Sequence, residues 1–420
     1  MKTSEEIKHI DAVKSIQKKL LGKKLTYKEI YNLMDKIGND KLGDVLTTYF
    51  IAASFKEGFT IDELYQFTKA MVKTGTTIKF DGIVADKHST GGIAGTRTTL
   101  IIVPIIVEAG FKIPKTSSRA ITSPAGSADV MEVLADVTFT PTQVKKIVDK
   151  VGGCIVWGGH LGIAPADDIL INIEEELSFE SFDKIIISIM AKKVAVSTNH
   201  LVLDLPMGST MKVRHAKDAD KIEQKFKAVA KKFKIKIKVD INEIREPAGN
   251  GIGPILEARD ALYVLEQKPN RPIPLENKAI KLAKQLLELC YKTANIEKDP
   301  ETEIREILTS GRALKKFREI VEAQNGIKNV SSEKLVIKAN SKDIKSKKYG
   351  KINRVNNYNL NTIAKLLGAP DDKHAGVYLY KRIGDKVIKN EKLFTFFSKE
   401  KFKIKEAEIS LENFPIYEIS

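Results

Sequence analysis

The sequence predicts an α/β protein: a helical lobe plus a larger α/β domain with a mixed or parallel sheet, and a C-terminal α+β domain. Three observations carry this expectation. Apolar residues recur at helical spacing from residue 5 to about 75, as in Ile10, Val13, Ile16 and Leu20, and again in Ile30, Leu33, Met34 and Ile37. Beyond residue 80 short apolar runs alternate with glycines and amphipathic stretches, a strand–helix–strand order that favours parallel pairing. After residue 346 strand-like runs at 376–380 and 392–397 flank a Gly384-Asp385 turn and accompany one helix, 361–367.

The individual elements follow from local chemistry. Thr60 with Glu63 three residues on is an N-cap pattern, so a helix starts at Ile61. Thr138-Phe139 reads as a strand. Thr140 then caps a helix with Pro141 at its first position, running to Lys150 and stopped by Gly152-Gly153. Residues 154–157 read as a buried strand, 183–196 as an apolar helix, and 201–205 as another strand. A lysine-rich amphipathic helix over 216–233 precedes a strand at 235–239. Helices resume at 253–265, 276–292 and 301–324, and the polar, lysine-rich residues 325–345 read as a linker.

Composition narrows the function classes. The chain has 420 residues, 42% hydrophobic and 30% charged, with a net charge of +16. That suits a soluble enzyme of two or three domains. Aromatics are only 7% and are not interleaved with basic residues, so no nucleic-acid partner is expected; the charge is read as a surface that collects small anions. Residues 1–19 lack the apolar core of a signal peptide, and the longest apolar run, 100–107, contains Pro104 and is too short to span a bilayer. The two cysteines are far apart in sequence. A cytoplasmic protein with no membrane partner is expected.

Two segments carry the chemistry. Thr116-Ser117-Ser118-Arg119-Ala120-Ile121-Thr122-Ser123-Pro124-Ala125-Gly126-Ser127-Ala128-Asp129 packs hydroxyls, a cation and a glycine just before an apolar run. Hydroxyls and amides converging where a helix starts suit an anion; the alternative is a serine-rich surface loop. Upstream, Asp86-Lys87-His88-Ser89-Thr90-Gly91-Gly92-Ile93-Ala94-Gly95-Thr96-Arg97-Thr98-Thr99 fits neither a P-loop nor a dinucleotide fingerprint, yet its glycines would let amides approach an oxyanion. A plain glycine turn between strand and helix is the alternative there. His88 stands out among the histidines because it sits in this donor-rich loop. Asp167-Asp168 read as a helix cap and turn, with no third ligand at metal-binding spacing. Ser188 and Lys192 share a helix face, and Lys192 beside Lys193 reads as a solvated lysine or a substrate donor.

Taken in order, these motifs resemble the thymidine phosphorylase and AMP phosphorylase family, over nearly the whole chain. Lys87-His88-Ser89-Thr90-Gly91-Gly92 is similar to its first phosphate loop, and Ser117 to Glu132 to its signature. The resemblance implies a helical lobe, 1–75 completed by about 165–196, facing an α/β domain of 76–164 and 197–325 across a cleft, with a C-terminal domain at 346–420. It implies phosphorolysis: phosphate attacks the anomeric carbon, the base leaves, and a sugar 1-phosphate forms. Phosphate would be held by Lys87, Ser89, Thr99, Ser117 and Ser127. The nucleotide would meet Gly92, Ser118, Arg119, Ala120, Ile121, Thr122, Ser123, Ser127, Ser188, Lys192 and Lys212, with Lys212 suited to a 5′-phosphate. The motifs 156–159, 164–168 and 253–259 lean to the AMP phosphorylase branch, and Ile173 stands where thymidine phosphorylases present an arginine to the pyrimidine.

That branch turns a nucleoside 5′-monophosphate, AMP or also CMP or UMP, into free base and ribose 1,5-bisphosphate. Its proton-donating aspartate corresponds to Glu180 here, with Asp183 one turn away as the alternative and His88 a further candidate. Residues 242–246 depart from the branch's glycine-containing segment. No cofactor and no metal are implied, phosphate being a co-substrate, and the assembly implied is a homodimer or larger homo-oligomer. Nucleoside phosphorolysis, or an inactive nucleotide-binding regulator, are the alternative functions.

Overall fold

A computed structural model describes residues 4–121, 123–177 and 181–420. Helices α1 (Ser4–Leu20), α2 (Tyr27–Gly38), α3 (Asp44–Glu57) and α4 (Ile61–Lys73) form the N-terminal part of the lobe. Capping boxes start α2 and α4, with the Thr26 and Thr60 hydroxyls accepting from the Glu29 and Glu63 backbone amides. Ile30, Leu33, Met34 and Ile37 are buried, as their spacing predicts.

Next come β1 (Ala85–Ser89), α5 (Thr99–Glu108), β2 (Ile113–Ser117), α6 (Ser127–Glu132), α7 (Pro141–Val151) and β3 (Gly153–Trp157). Helix α5 is apolar on every side and buried from Thr99 to Val107, as a central core helix must be. The Thr140 cap and the Gly152 stop, at φ 87°, bound α7 as expected. The chain returns to the lobe with α8 (Pro165–Leu177) and α9 (Phe182–Ala195). It then re-enters the α/β domain with β4 (His200–Met207), α10 (Ala216–Lys232) and β5 (Lys236–Glu243).

The sheet is parallel throughout. Strands β1, β4 and β5 pair in parallel, as do β2 and β3, and a parallel bridge between Val84 and Lys112 joins the two sets. The spatial order is therefore β3-β2-β1-β4-β5. The winding reverses between β1 and β4, and the carboxyl end of β1 lies against β4, with Ser89 opposite Asp204. Open parallel sheets bind ligands at such a switch point.

The strand expected at Thr138-Phe139 is not there. Residues 136–140 form no strand: the Val137 carbonyl accepts the Trp157 N–H at 2.8 Å, but at Ile155 the outer edge of β3 is met by a side chain instead. The Gln324 amide accepts from Ile155 N–H at 2.8 Å and donates to the carbonyls of Ile155 and Asp136 at 2.9 and 2.8 Å, acting as a one-residue strand.

Strand β6 (Gly251–Ile252) precedes α11 (Pro254–Leu265), α12 (Ile273–Ala294), α13 (Pro300–Thr309) and α14 (Arg312–Ala323). The single helix expected over 301–324 breaks at Ser310-Gly311, where Gly311 takes φ 79°. Nor are residues 325–345 a free linker. Val330 and Leu335 enter the main core, Ser332 N–H donates to Glu266 at 2.7 Å, and β7 (Asn340–Lys345) already belongs to the last domain.

That domain contains β8 (Gly350–Val355), α15 (Asn357–Leu366), β9 (Gly376–Leu379), β10 (Lys386–Val387), β11 (Lys392–Ser398), α16 (Lys401–Ser410) and β12 (Tyr417–Ile419). It has two helices rather than the one expected, and α15 starts earlier than expected. Its sheets are antiparallel, ordered β6-β9-β11-β7 and β10-β8-β12, so β6 ties it to the α/β domain. Among the described residues no helix is long and apolar enough to cross a membrane.

Replacing Gln324 by Leu should strip the buried Ile155 N–H and carbonyl, and the Asp136 carbonyl, of this partner and cost on the order of 3 kcal/mol. Denaturant unfolding followed at Trp157, the chain's one tryptophan and the last residue of β3, checks this. An unchanged midpoint would show that the β3 edge does not depend on this amide.

Candidate active site

Asp86 lies fully buried on β1, in the middle of the sheet. Its carboxylate takes a close ion pair from Lys193 of α9 and a second from Lys115 of β2 at 3.4 Å, and accepts the Lys87 backbone N–H at 2.7 Å. One carboxylate thus binds the lobe to the sheet and fixes the start of the loop after β1. Burial pulls the Lys193 ammonium well below its ordinary value, while Asp86 resists that pull. Lys193, noted in the sequence only as the neighbour of Lys192, is therefore buried and paired inside the protein.

Asp204 of β4, opposite the end of β1, does the same for the next lysine. It sits 3.8 Å from Lys87 Nζ and 3.1 Å from Lys278 Nζ, and accepts from the Asn242 amide at 2.9 Å. Lys87 also donates to Thr98 Oγ1 at 3.0 Å. Burial lowers Lys87 to about 8; Asp204 opposes the shift, and Lys278 and Arg97 add to it. Asn242 opens the segment 242–246 that departs from the family pattern. Here it braces Asp204 and Asp240, while Glu246 accepts from the Ile383 N–H at 3.0 Å.

His88 follows Lys87. Its Nδ1 is buried without a partner among the described residues, and burial with the charges of Lys115, Lys193, Lys192 and Lys87 holds the ring far below its usual range. It is neutral. The four lysines that act on it come from β1, β2 and α9, so both sides of the cleft converge at this ring. Ser89 Oγ accepts from Gly91 N–H at 3.4 Å, and Gly91 and Gly92 take φ 87° and 85°, a conformation that favours glycine. Thr99 is buried at the first turn of α5.

The serine-rich loop leaves the end of β2 at Ser117 and ends on α6 at Ser127, as its composition predicts. Its organiser is Asp129, whose Oδ2 accepts the N–H groups of Ala120 at 2.7 Å and Gly126 at 2.8 Å. Arg119 is not an uncommitted cation. It makes a two-pronged pair with Glu132 at 2.6 and 2.7 Å, reaches Asp129 at 3.2 Å, and stacks 4.8 Å from the Trp157 ring. The Arg119 hydrogen bonds hold Glu132 down at about 2. Ser117 Oγ donates to the Ser118 carbonyl and Ser123 Oγ to that of Ala125, both within the loop. The Ile121 carbonyl accepts from Lys365 at 2.8 Å, and Thr122 lies outside the described residues.

From the lobe, Asp167 Oδ2 accepts Ser188 Oγ and Lys192 Nζ, each at 2.7 Å. Asp167 is thus no simple cap. Its Oδ1 is buried without a partner among the described residues. Burial raises its neighbour Asp168 to about 6. Lys212 sits half-buried in the loop after β4. Glu180 lies outside the described residues. Asp183 is committed within the fold: its oxygens take the Phe59 N–H at 2.7 Å and a close pair with Lys225. Among the described residues no group of three or more His, Cys, Asp or Glu could hold a metal ion.

The sequence compares with known proteins in the same sense. The glycosyl transferase family a/b domain matches residues 81–314, its helical bundle domain matches 13–75, and the pyrimidine nucleoside phosphorylase C-terminal domain matches 351–414. The chain belongs to the glycosyl transferase family. Within it, the chain is 42% identical to the AMP phosphorylase of Thermofilum pendens over 96% of its own length and 77% of that protein's. It is 40% identical to the AMP phosphorylase of Methanocaldococcus jannaschii, over 96% and 80% respectively. A Legionella pneumophila protein provisionally named thymidine phosphorylase is 39% identical, over 93% of this chain and 74% of that one. The fold is also that of anthranilate phosphoribosyltransferase from Thermus thermophilus, with a TM-score of 0.63 at 17% identity over 74% of this chain and 99% of that one. As a glycosyl transferase of this nucleoside phosphorylase type, the protein is a pentosyltransferase.

Sequence reasoning missed Asp204, Lys115, Lys278 and the roles of Asp86 and Asp129. Each is an ordinary residue in a strand, loop or helix, made significant by partners distant in sequence. Asp86→Asn should leave Lys193 and Lys115 buried beside a neutral amide and cost on the order of 3–5 kcal/mol. Adding Lys193→Met should recover part of that loss, which a double-mutant cycle in denaturant would read. Equal stability of native and Asp86→Asn chains would contradict the anchoring role.

Proposed function

We propose that this enzyme carries out the phosphorolysis of a nucleoside 5′-monophosphate, AMP or also CMP or UMP, to free base and ribose 1,5-bisphosphate. Phosphate would sit over the ends of β1 and β2, held by Lys87, Ser89, Thr99, Ser117 and Ser127. Neutral hydroxyls and amides with one lysine bind the anion while leaving an oxygen nucleophilic. That oxygen bonds to the anomeric carbon as the bond from carbon to base nitrogen breaks. The departing base takes its electron pair and a proton from the Glu180 carboxyl. Ser188 and Lys192, oriented by Asp167, would hold the base, and the Ser118 to Ser123 loop and Lys212 the sugar phosphate. Phosphate is the co-substrate, and the chemistry needs no cofactor or metal.

The observation that carries the monophosphate reading is at the base end. Ile173 is buried among the apolar side chains of the lobe, where thymidine phosphorylases present an arginine. A site without that guanidinium does not select pyrimidine nucleosides through it. The occupied oxygens of Asp183 favour Glu180 as the acid. Pyrimidine nucleoside phosphorolysis is the second reading, favoured by the family of the C-terminal domain and by the Legionella relative.

Base release from AMP, CMP, UMP, thymidine, uridine and adenosine, each with phosphate, decides between them. Release from a monophosphate is expected. Release from thymidine alone would replace the first reading by the second, and release from none by folded protein would overturn both. Glu180→Gln should lower kcat by about 100-fold or more with a nearly unchanged nucleotide KM. If Asp183→Asn does this instead, the acid is misassigned.

A further inference from the structure

The loops of this cleft do not hold themselves. Helix α15 of the C-terminal domain aims Asn357, Asn361 and Lys365, spaced four residues apart on one face, at the loops after β1 and β2. Asn357 Oδ1 accepts the Ala94 N–H at 2.9 Å, and its amide donates to the Gly92 carbonyl at 2.6 Å. Asn361 donates to the same carbonyl at 3.2 Å. Lys365 holds the Ile121 carbonyl at 2.8 Å. Elsewhere in the same domain, Arg382 grips the 247–250 loop through the carbonyls of Pro247, Ala248 and Gly249, and Arg354 reaches Ser209 Oγ at 3.3 Å.

Three features set the α15 contacts apart from simple domain docking. Gly91 and Gly92 have no side chains, so the shape of this turn depends on what its backbone groups meet. Asn357 is only 2% exposed and satisfies a donor and an acceptor two residues apart, as a paired strand would. Asn361 spends its amide on a carbonyl already engaged and leaves Oδ1 buried without a partner among the described residues. A contact made for docking alone has no reason to bear that cost.

We propose that Asn357 and Asn361 are positioning residues for the phosphate loop. They act through the Gly92 carbonyl and the Ala94 amide and touch no substrate. The C-terminal domain is then part of the catalytic assembly. This rests on the phosphate role of the loop 87–92 in the proposed function.

The test uses the full chain with Asn357→Asp, Asn357→Leu and Asn361→Ala. Asn357→Asp keeps the acceptor for Ala94 and loses the donor to Gly92, whereas Asn357→Leu loses both. With nucleotide saturating, the KM for phosphate should rise in the order native, Asp, Leu, by about tenfold at the end of the series and by more than the nucleotide KM, while kcat changes less than about threefold. Asn361→Ala loses only the 3.2 Å bond and carries the test if Asn357→Leu does not fold. A uniform fall in activity with no selective change in phosphate KM would overturn the proposal. Calorimetric titration with inorganic phosphate separates this from failure of the proposed reaction. A native chain that binds phosphate but releases no base overturns the reaction alone, and weaker phosphate binding by the Asn357 variants still supports positioning. A native chain that binds no phosphate overturns both.

Discussion

The structure depends on one buried carboxylate. Asp86 has no access to solvent, and an isolated charge there would be driven to neutralise. It stays useful because Lys193 and Lys115 reach it from two other elements. Through Lys193 it holds α9, which carries Ser188 and Lys192. Through its bond to the Lys87 amide it sets the first residue of the glycine loop. The halves of the cleft are therefore joined at the point where the sheet reverses its winding. An apolar pair of the same volume could stabilise the fold as well, but it could not leave cations around His88.

The same logic recurs on a smaller scale. Asp204 of β4 holds Lys87 and Lys278 beside the end of β1, Asp167 holds Ser188 and Lys192 in the lobe, and Asp129 gathers two amides of the serine loop. Each acid fixes the direction of donors that would otherwise swing. Arg119 shows the limit of reading charge from sequence, since Glu132 and Asp129 absorb its charge. The cleft is built from neutral hydroxyls and amides over a buried, balanced array of lysines and aspartates.

What the sequence disclosed was local. Thr60 announces its helix because a cap and its partner lie three residues apart, Thr140 because Pro141 follows it, and the two donor-rich loops are visible because their glycines and hydroxyls are adjacent. What it hid was long-range. Lys193 carries no signal of its own beside Lys192 until Asp86, 107 residues away, is packed against it. Gln324 looks like the end of a helix, yet it completes the edge of β3 169 residues back and displaces the strand expected at Thr138-Phe139. The linker reading of 325–345 failed for the same reason, because Val330 and Leu335 find a core that their lysine-rich surroundings do not advertise. The break at Gly311 was local and could have been anticipated, since glycine readily adopts the left-handed turn that ends one helix and starts the next.

The central claim is that a buried lysine, poised near neutrality by the protein, meets the phosphate. Lys87 at about 8 lies below the ordinary lysine value of 10.5, so it is charged below pH 8 and loses its proton above it. Calorimetric titration of phosphate from pH 7 to 10, in two buffers of different ionisation enthalpy, measures both affinity and proton uptake. The account predicts that affinity falls roughly tenfold per pH unit above about pH 8, with uptake approaching one proton at pH 9 and beyond. Constant affinity across that range, with no proton taken up, would contradict it.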